Sequence, residues 1–345
     1  MKSPQVDVII IGAGPAGSAA AIACAQRQLQ ACILEYKAFP RHRPGESLHP
    51  GIQPLLAQLG LEDDLLGAGF ERHEGTWVEW EAERCFHPFG SDSDEPWRGF
   101  QAWRADFDAM LLHRAQALGV DIRQPCRAME PITDGDRVVG VRTTNGSMTA
   151  RFVVDAAGSG HWLARHLALN IERYSPKLIA RYGYARSSDI DDSQLPAIVA
   201  DSHGWTWTAK VRHDLYHWTR LSLHDQQIGN EDGQPQRARK GALSTQRGAD
   251  VSWRIVRQAA GGGYFMAGDA AAVLDPASSH GVLKAMMSAI MAADVIKRII
   301  DEPRKEPQLS DGYRGWIYDW FHHDVQKLKA YYRLLPHPPR WVIDV

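Results

Sequence analysis

The chain has 345 residues, enough for a large core and for either two domains or one elaborated one. A formal charge of −2 supplies no basic field, so neither nucleic acid nor a membrane surface is implied as a partner. The four cysteines, Cys24, Cys32, Cys85 and Cys126, lie far apart without C-x-x-C spacing, which argues against a zinc site or a disulfide framework and fits a reducing cytoplasm. The first apolar run, Val8 to Ile11, is too short for a signal peptide's core or a membrane span, so an unexported protein is expected. The twelve tryptophans are scattered rather than repeated and read mostly as core filling, a few being candidates to line a pocket for a flat substrate.

Val6 to Glu35 reads as a strand, turn, helix and second strand built to hold a dinucleotide. A β-branched run leads directly into Gly12-Ala13-Gly14-Pro15-Ala16-Gly17, a G-x-G-x-x-G turn. Gly12 serves the tight turn, Gly14 admits a pyrophosphate, and Gly17 lets the following helix lie close on the sheet. That helix, beginning near Ser18, directs its N-terminal amides at the phosphates. Glu35 ends the second strand roughly 20 residues beyond the glycines, where a carboxylate accepts a ribose hydroxyl; this suits FAD or NAD rather than NADP.

Phe39 to Pro50 is a loop by composition, and its charges make it a binding segment rather than a spacer. Gly51 to Leu66 reads as one helix, Gly75 to Phe86 as a strand, and Phe89 to Gly99 as a polar loop. A helix opened by Trp103 to Asp108 runs to Leu118, with Asp106 a candidate cap. After a strand at Gly119 to Arg123, Arg137 to Val154 forms a hairpin around Asn145-Gly146. Val153 to Gly160 suggests a second close backbone approach to a ligand. From Tyr174 to about Trp253 the composition turns strand-like and aromatic, an antiparallel subdomain on the substrate side, and Asp225 to Gly241 is polar enough for disorder. The chain then returns through Tyr264 to Ala271 and a long helix from Val282 to about Ile300, ended by Pro303. Tyr313 to Leu335 carries an aromatic stripe at helical spacing, by default core-packing, with a partner-docking face as the alternative.

Three separated segments together resemble the flavoprotein monooxygenases related to para-hydroxybenzoate hydroxylase, in the branch that contains tryptophan halogenases and geranylgeranyl reductases. Gly12 to Gly17 with Glu35 looks like the family's ADP-binding unit, and Arg43-Pro44-Gly45-Glu46-Ser47 is similar to its R-x-G-E-S loop beside the flavin. Asp155-Ala156-Ala157-Gly158 stands at the D-G motif, with alanines inserted, and Gly268-Asp269 with Asp275-Pro276 and Gly281 looks like the G-D motif. The resemblance implies an α/β fold: a Rossmann-like FAD-binding domain of the glutathione-reductase type, an inserted antiparallel β-sheet substrate subdomain, and C-terminal helices. The expected division is residues 1–172 and 257–302 for FAD, 173–256 for the subdomain and 303–345 for a helical tail. It assigns Gly12, Gly14, Ala16, Gly17, Glu35, Arg43, Ser47, Arg104, Gly268, Asp269, Pro276 and Gly281 to the cofactor. Small residues before the helix at Gly281 independently suit backbone donors facing a developing anion.

Halogenases of this branch pass hypohalous acid to a lysine that follows the R-x-G-E-S loop, whereas this chain has no lysine between Lys37 and Lys177. Their W-x-W-x-I-P is here Trp205-Thr206-Trp207-Thr208-Ala209-Lys210, without isoleucine and proline. The resemblance therefore implies a monooxygenase that uses FAD, O2 and either NAD(P)H or a separate flavin reductase, and hydroxylates an indole through a flavin C4a-hydroperoxide. His49, His280 and Glu46 are the candidates for proton transfer, and Trp205 and Trp207 for substrate contact. The Gly-Glu-Ser-Leu-His-Pro-Gly and Ser-Ser-His-Gly-Val-Leu-Lys stretches resemble flavoproteins that hydroxylate a tryptophan in a precursor oxidase during cysteine tryptophylquinone formation, which makes a precursor protein the expected partner. A small-molecule hydroxylase, a halogenase and a flavin-binding chaperone without chemistry are the alternatives, in that order.

Overall fold

The structure is a computed structural model, described here for residues 5–80, 83–92, 95–186, 195–223 and 246–343. The polar stretch Asp225 to Gly241 lies outside the described residues. Five parallel strands, in the order Asp121–Arg123, Ala31–Leu34, Val6–Ile11, Gly146–Asp155 and Tyr264–Met266, form the centre. The inner strands Val6–Ile11, Ala31–Leu34 and Tyr264–Met266 and the end of Gly146–Asp155 read as apolar runs because both faces are covered, whereas the edge strand Asp121–Arg123 is mostly exposed. The helix Pro15–Gln26 packs on them, with Pro15 to Cys24 wholly buried, and its alanines, glycine and serine let it also lie against the helix Gly281–Asp301.

The Asn145-Gly146 turn joins Arg137–Thr143 to Gly146–Asp155 as expected, but a third strand, Ala128–Asp134, extends the pair into a meander. The expected single helix at 51–66 is two, Ile52–Gln58 and Glu62–Gly67. They part at Gly60, whose φ of +72° suits glycine and whose Cβ would meet Arg114 Nη2 at 2.6 Å. Asp106 is not a cap: the helix starts at Arg104 after Trp103, and Asp106 pairs instead with Arg212. Within the expected loop at 89–99, Ser91–Asp92 pairs with Glu95–Pro96.

The second large sheet runs Arg247–Asp250, Ile179–Arg186, Leu215–Ser222, Gly204–Arg212, Ala197–Asp201, Gly75–Glu79, Cys85–Pro88. Two of these strands come from before residue 89, so the sheet is not confined to the inserted segment 173–256. Its Ala197–Asp201 and Gly75–Glu79 pair is parallel, a departure from the all-antiparallel expectation. Long-range strand pairing of this kind leaves no local signal in a sequence.

The long C-terminal helix, Glu306–Arg333, begins seven residues before the aromatic stripe that announced it, and a short helix, Arg340–Ile343, follows it. Its aromatic stripe packs inward: Tyr313 and Leu328 are buried, Trp316, Trp320 and Tyr331 are half-buried against the core, and Phe321 and Tyr332 are buried beside them; the Tyr313 hydroxyl donates to the Met266 carbonyl at 2.8 Å. No helix among the described residues is long and apolar enough to cross a membrane.

Candidate functional site

The nucleotide cradle sits where the strand Val6–Ile11 meets its helix. Gly12 has φ +97°, and a Cβ on it would lie 2.6 Å from the Ala156 carbonyl oxygen; one on Gly17 would lie 1.8 Å from the Gly12 oxygen. A Cβ on Gly14 would meet only Arg41 Nη2, at 3.4 Å, so that position is small for what approaches it rather than for the fold. Ala16 is buried in the same turn. Glu35 is 2 % exposed; its Oε2 accepts the Ala13 N–H at 2.9 Å and its Oε1 the Lys37 N–H at 3.0 Å, so the carboxylate is fixed at the mouth of the turn.

Arg41, which no local motif marks in the sequence, lies beside Glu35 (3.8 Å) and Asp108 (3.4 Å). Its buried Nε has no hydrogen-bond partner among the described residues. Arg43 instead donates to the Tyr36 hydroxyl at 2.8 Å. Arg104 holds Asp108 through two bonds, at 2.9 and 3.2 Å, and donates to the Pro44 carbonyl at 2.9 Å. It thus buttresses the Arg43–Ser47 loop from behind, and Ser47 fixes the loop's far end by donating to Gln101 at 2.7 Å.

Gly268 turns with φ +60°, and a Cβ there would lie 3.0 Å from that of Ala285 and 3.2 Å from that of Ala16. The turn is therefore wedged between two helices. Asp269 projects into a cleft lined also by His280, Gly281, Lys284, Trp320 and Asp324. The residue is open to solvent through the cleft, yet the protein around it is dense enough that burial pushes its carboxyl above the usual range, with Arg254 and Arg104 opposing the shift. Pro276 is exposed, and Gly281 opens the helix Gly281–Asp301 with nothing within 4 Å of where its Cβ would be. Its free amide end faces the cleft side, as a negatively charged group requires.

Behind Asp269, His161 is 1 % exposed and left-handed, with φ +48°. Arg254 Nε donates to its Nε2 at 2.8 Å, which leaves the ring proton on Nδ1 to donate to the Ala270 carbonyl at 2.9 Å. Burial lowers its pKa to about 4, so it stays neutral at physiological pH. Asp155, at the D-G position, accepts the amides of Ala157 (2.9 Å) and Leu163 (2.7 Å), and burial pushes it up to about 6.

His49 and His280 meet with ring centroids 4.7 Å apart. His49 Nδ1 accepts the Gly51 N–H at 3.0 Å, placing its own proton on Nε2; burial, then the neighbouring His280, lower its pKa to about 4. Burial lowers that of His280 as well. Glu46 is 1 % exposed and accepts the Tyr184 hydroxyl at 2.5 Å. Trp205 is a correction: it is 1 % exposed and its indole N–H donates to the Tyr332 hydroxyl at 2.9 Å, so it presents no face to a substrate. Trp207, two residues on, is half-buried and packs against the same core.

The residues fit FAD: a glycine at the phosphate approach, a fixed carboxylate at the ribose position, an unpartnered buried guanidinium nitrogen, and an open helix N-terminus beside Asp269. The sequence profile of the tryptophan halogenase family matches residues 7–104 and 97–334. A brominase of 1H-pyrrole-2-carbonyl on a peptidyl-carrier protein, from Pseudoalteromonas luteoviolacea, is 30% identical over 90% of this chain and 81% of its own. Tryptophan 2-halogenase from Chondromyces crocatus is 28% identical over 85% of this chain, which spans 61% of that protein's length. The structure of the myxobacterial chondrochloren halogenase CndH superposes with a TM-score of 0.87 at 26% identity, covering 96% of this chain and 83% of that one. With its cofactor cradle, its G-D turn and most of its length matched, the chain belongs to the tryptophan halogenase family of flavin-dependent enzymes.

Proposed function

We propose that this chain is an FAD-dependent monooxygenase that hydroxylates an indole ring, and that the ring is a tryptophan of a precursor oxidase undergoing tryptophylquinone formation. The observation that carries the oxygenase reading is the absence of lysine between Lys37 and Lys177, the stretch in which resemblance places the halogen carrier. Lys284, at the cleft, is occupied otherwise: its Nζ lies 3.8 Å from Asp324 and 5.0 Å from the centroid of the Trp320 ring. The protein-borne substrate draws support from relatives that act on pyrrole-2-carbonyl attached to a peptidyl-carrier protein. The remaining support is the resemblance of residues 45–51 and 278–284.

When bound, FAD supplies the electrons that activate O2, delivered by NAD(P)H or by a separate reductase. The protein's part is to orient the ring, exclude water and place protons. His49, neutral with its proton on Nε2, is the donor, and the adjacent His280 and the buried carboxylate of Glu46, which already accepts the Tyr184 hydroxyl, shape the environment in which that proton moves. His49→Ala is expected to lower turnover roughly 100-fold while leaving FAD retention intact, as checked by single-turnover kinetics on the loaded protein.

The test of the reading is intact-mass spectrometry after incubation with FAD, a reductant, ¹⁸O-labelled O2 and bromide, offering a candidate precursor oxidase beside free tryptophan and pyrrole. Label in the precursor's tryptophan is the expected result. Label confined to a free indole removes the protein substrate but keeps the oxygenase. A brominated product from either substrate overturns the proposal in favour of the chemistry of the named relatives.

A further inference from the structure

Glu46 is gripped from a part of the chain far from its own loop. Tyr184 and His217 are direct cross-strand partners in the pairing of Ile179–Arg186 with Leu215–Ser222, so their side chains stand together on one face of the sheet. Both converge on the same carboxylate. The Tyr184 hydroxyl donates to Oε1 at 2.5 Å, and His217 Nδ1 lies 3.5 Å from Oε2, which also accepts the Gly45 N–H at 2.9 Å. Glu46, Tyr184 and His217 are 1 %, 7 % and 4 % exposed, so no water competes for these contacts. The Tyr184 ring is itself held edge-on by His42 and Trp103, with centroids 5.0 and 5.5 Å away. His217 Nε2 is turned toward Thr219 Oγ1, 3.3 Å away.

We propose that Tyr184 and His217 are positioning residues for Glu46: they fix its carboxylate between the Arg43–Ser47 loop and the subdomain sheet, and so set the charge presented to a flavin bound against that loop. This rests on the loop's being the flavin's neighbour and not on which substrate is oxidised. The arrangement couples the loop to the second sheet, since the carboxylate comes from one and the Tyr184 hydroxyl that donates to it from the other.

Other charged groups face the same place. Arg104 reaches Glu46 electrostatically from the helix Arg104–Ala117 and is in turn drawn by Asp269. His42, from the loop, is kept neutral by burial, with Glu46 opposing that shift and Arg247, from Arg247–Asp250, reinforcing it. Burial likewise keeps His217 neutral against the pull of Glu46, and holds Tyr184 protonated. Tyr184 thus donates its hydrogen bond, and His217 stands beside the carboxylate, without either adding charge.

The experiment is a reductive titration of the FAD-loaded protein at one fixed pH, read as the flavin midpoint potential, which needs no substrate and no turnover. A carboxylate beside the flavin opposes reduction, so Glu46→Gln is expected to raise the potential. Tyr184→Phe, which keeps the ring on His42 and Trp103 but leaves the carboxylate's charge less neutralised, is expected to lower it. His217→Leu should move it the same way by less, and serves where Tyr184→Phe fails to retain FAD. A potential unmoved by Glu46→Gln, or Tyr184 and His217 variants that melt earlier with the potential unmoved, each overturn the proposal. Bromination in the test above leaves this result untouched, so the two readings fail separately.

Discussion

Gly17→Ala is expected to give a chain that does not retain FAD and is destabilised by about 3 kcal/mol or more, whereas Gly14→Ala folds and loses affinity only for the cofactor. The two glycines lie three residues apart in one motif, and the difference comes from what a methyl group would meet. At Gly17 the nearest atom is the Gly12 oxygen, at 1.8 Å, and the next is the Gly12 carbonyl carbon, at 2.9 Å. Neither can move unless the helix Pro15–Gln26 lifts off the strand. That helix has no free side to move into, because Pro15 to Cys24 are all buried. At Gly14 the one neighbour is the end of the Arg41 side chain, at 3.4 Å, an ordinary contact. The added methyl stands in the space a pyrophosphate would approach, so a roughly tenfold weaker Kd is expected at nearly unchanged stability. Urea unfolding of the apo forms with fluorescence titration of FAD checks both. A Gly14→Ala apo protein as unstable as the Gly17 variant, or a Gly17→Ala protein that binds FAD normally, contradicts the assignment.

This contrast marks the limit of what the sequence shows. Gly12 to Gly17 and the Asn145-Gly146 turn are legible because each shows itself through a backbone angle or a missing Cβ, and Glu35 because its spacing from the glycines is fixed by the strand–helix–strand unit. The helix Gly281–Asp301 and the G-D turn are legible for the same reason. What escaped notice joins distant segments. Arg41 was one charge among many in its loop until Asp108 and Glu35 closed around it. Tyr184 and His217 read as ordinary strand residues, since nothing local says that they share a face or that the face meets Glu46. Gly75–Glu79 enters the second sheet by pairing with Ala197–Asp201, across more than a hundred residues. Trp205 misled because a tryptophan in a family motif suggests a substrate wall, while its burial against Tyr332 depends on a helix at the other end of the chain. Gly60 is a breaker by residue type, but the apolar periodicity on either side of it favours one continuous helix.

Tyr332→Phe is the second large effect expected, a loss of about 3 kcal/mol that grows as pH rises through about 6. The Tyr332 hydroxyl donates to Asp275 Oδ2 at 2.8 Å and accepts the Trp205 indole N–H at 2.9 Å; Asp275 also takes the Trp253 N–H at 2.6 Å and the Ala277 amide at 2.9 Å. One hydroxyl thus ties the helix Glu306–Arg333 to the second sheet and to the segment after the G-D turn. Its removal leaves a buried indole N–H without an acceptor and strips a donor from a fully buried carboxylate. Burial raises Asp275 from 3.8 to about 6 in the folded protein, against the hydrogen bonds from Tyr332 and Trp253 that favour its ionised form. Between those two values the native state binds a proton that the unfolded chain has released, so this group's contribution to stability falls as pH rises across the window. Above the folded value the full ionisation cost, about 3 kcal/mol, is present, and the Tyr332 donation is what limits it. Losing that donation therefore hurts most where Asp275 is charged. Urea unfolding of wild type and variant on either side of the transition should give the larger difference at the higher pH, and Asp275→Asn in both backgrounds should abolish that dependence. Equal losses at both pH values would mean that Tyr332 acts through packing against Trp80 and Trp253 alone. The same helix carries Trp320 and Asp324 into the cleft beside Asp269, so the variant should also release FAD more readily.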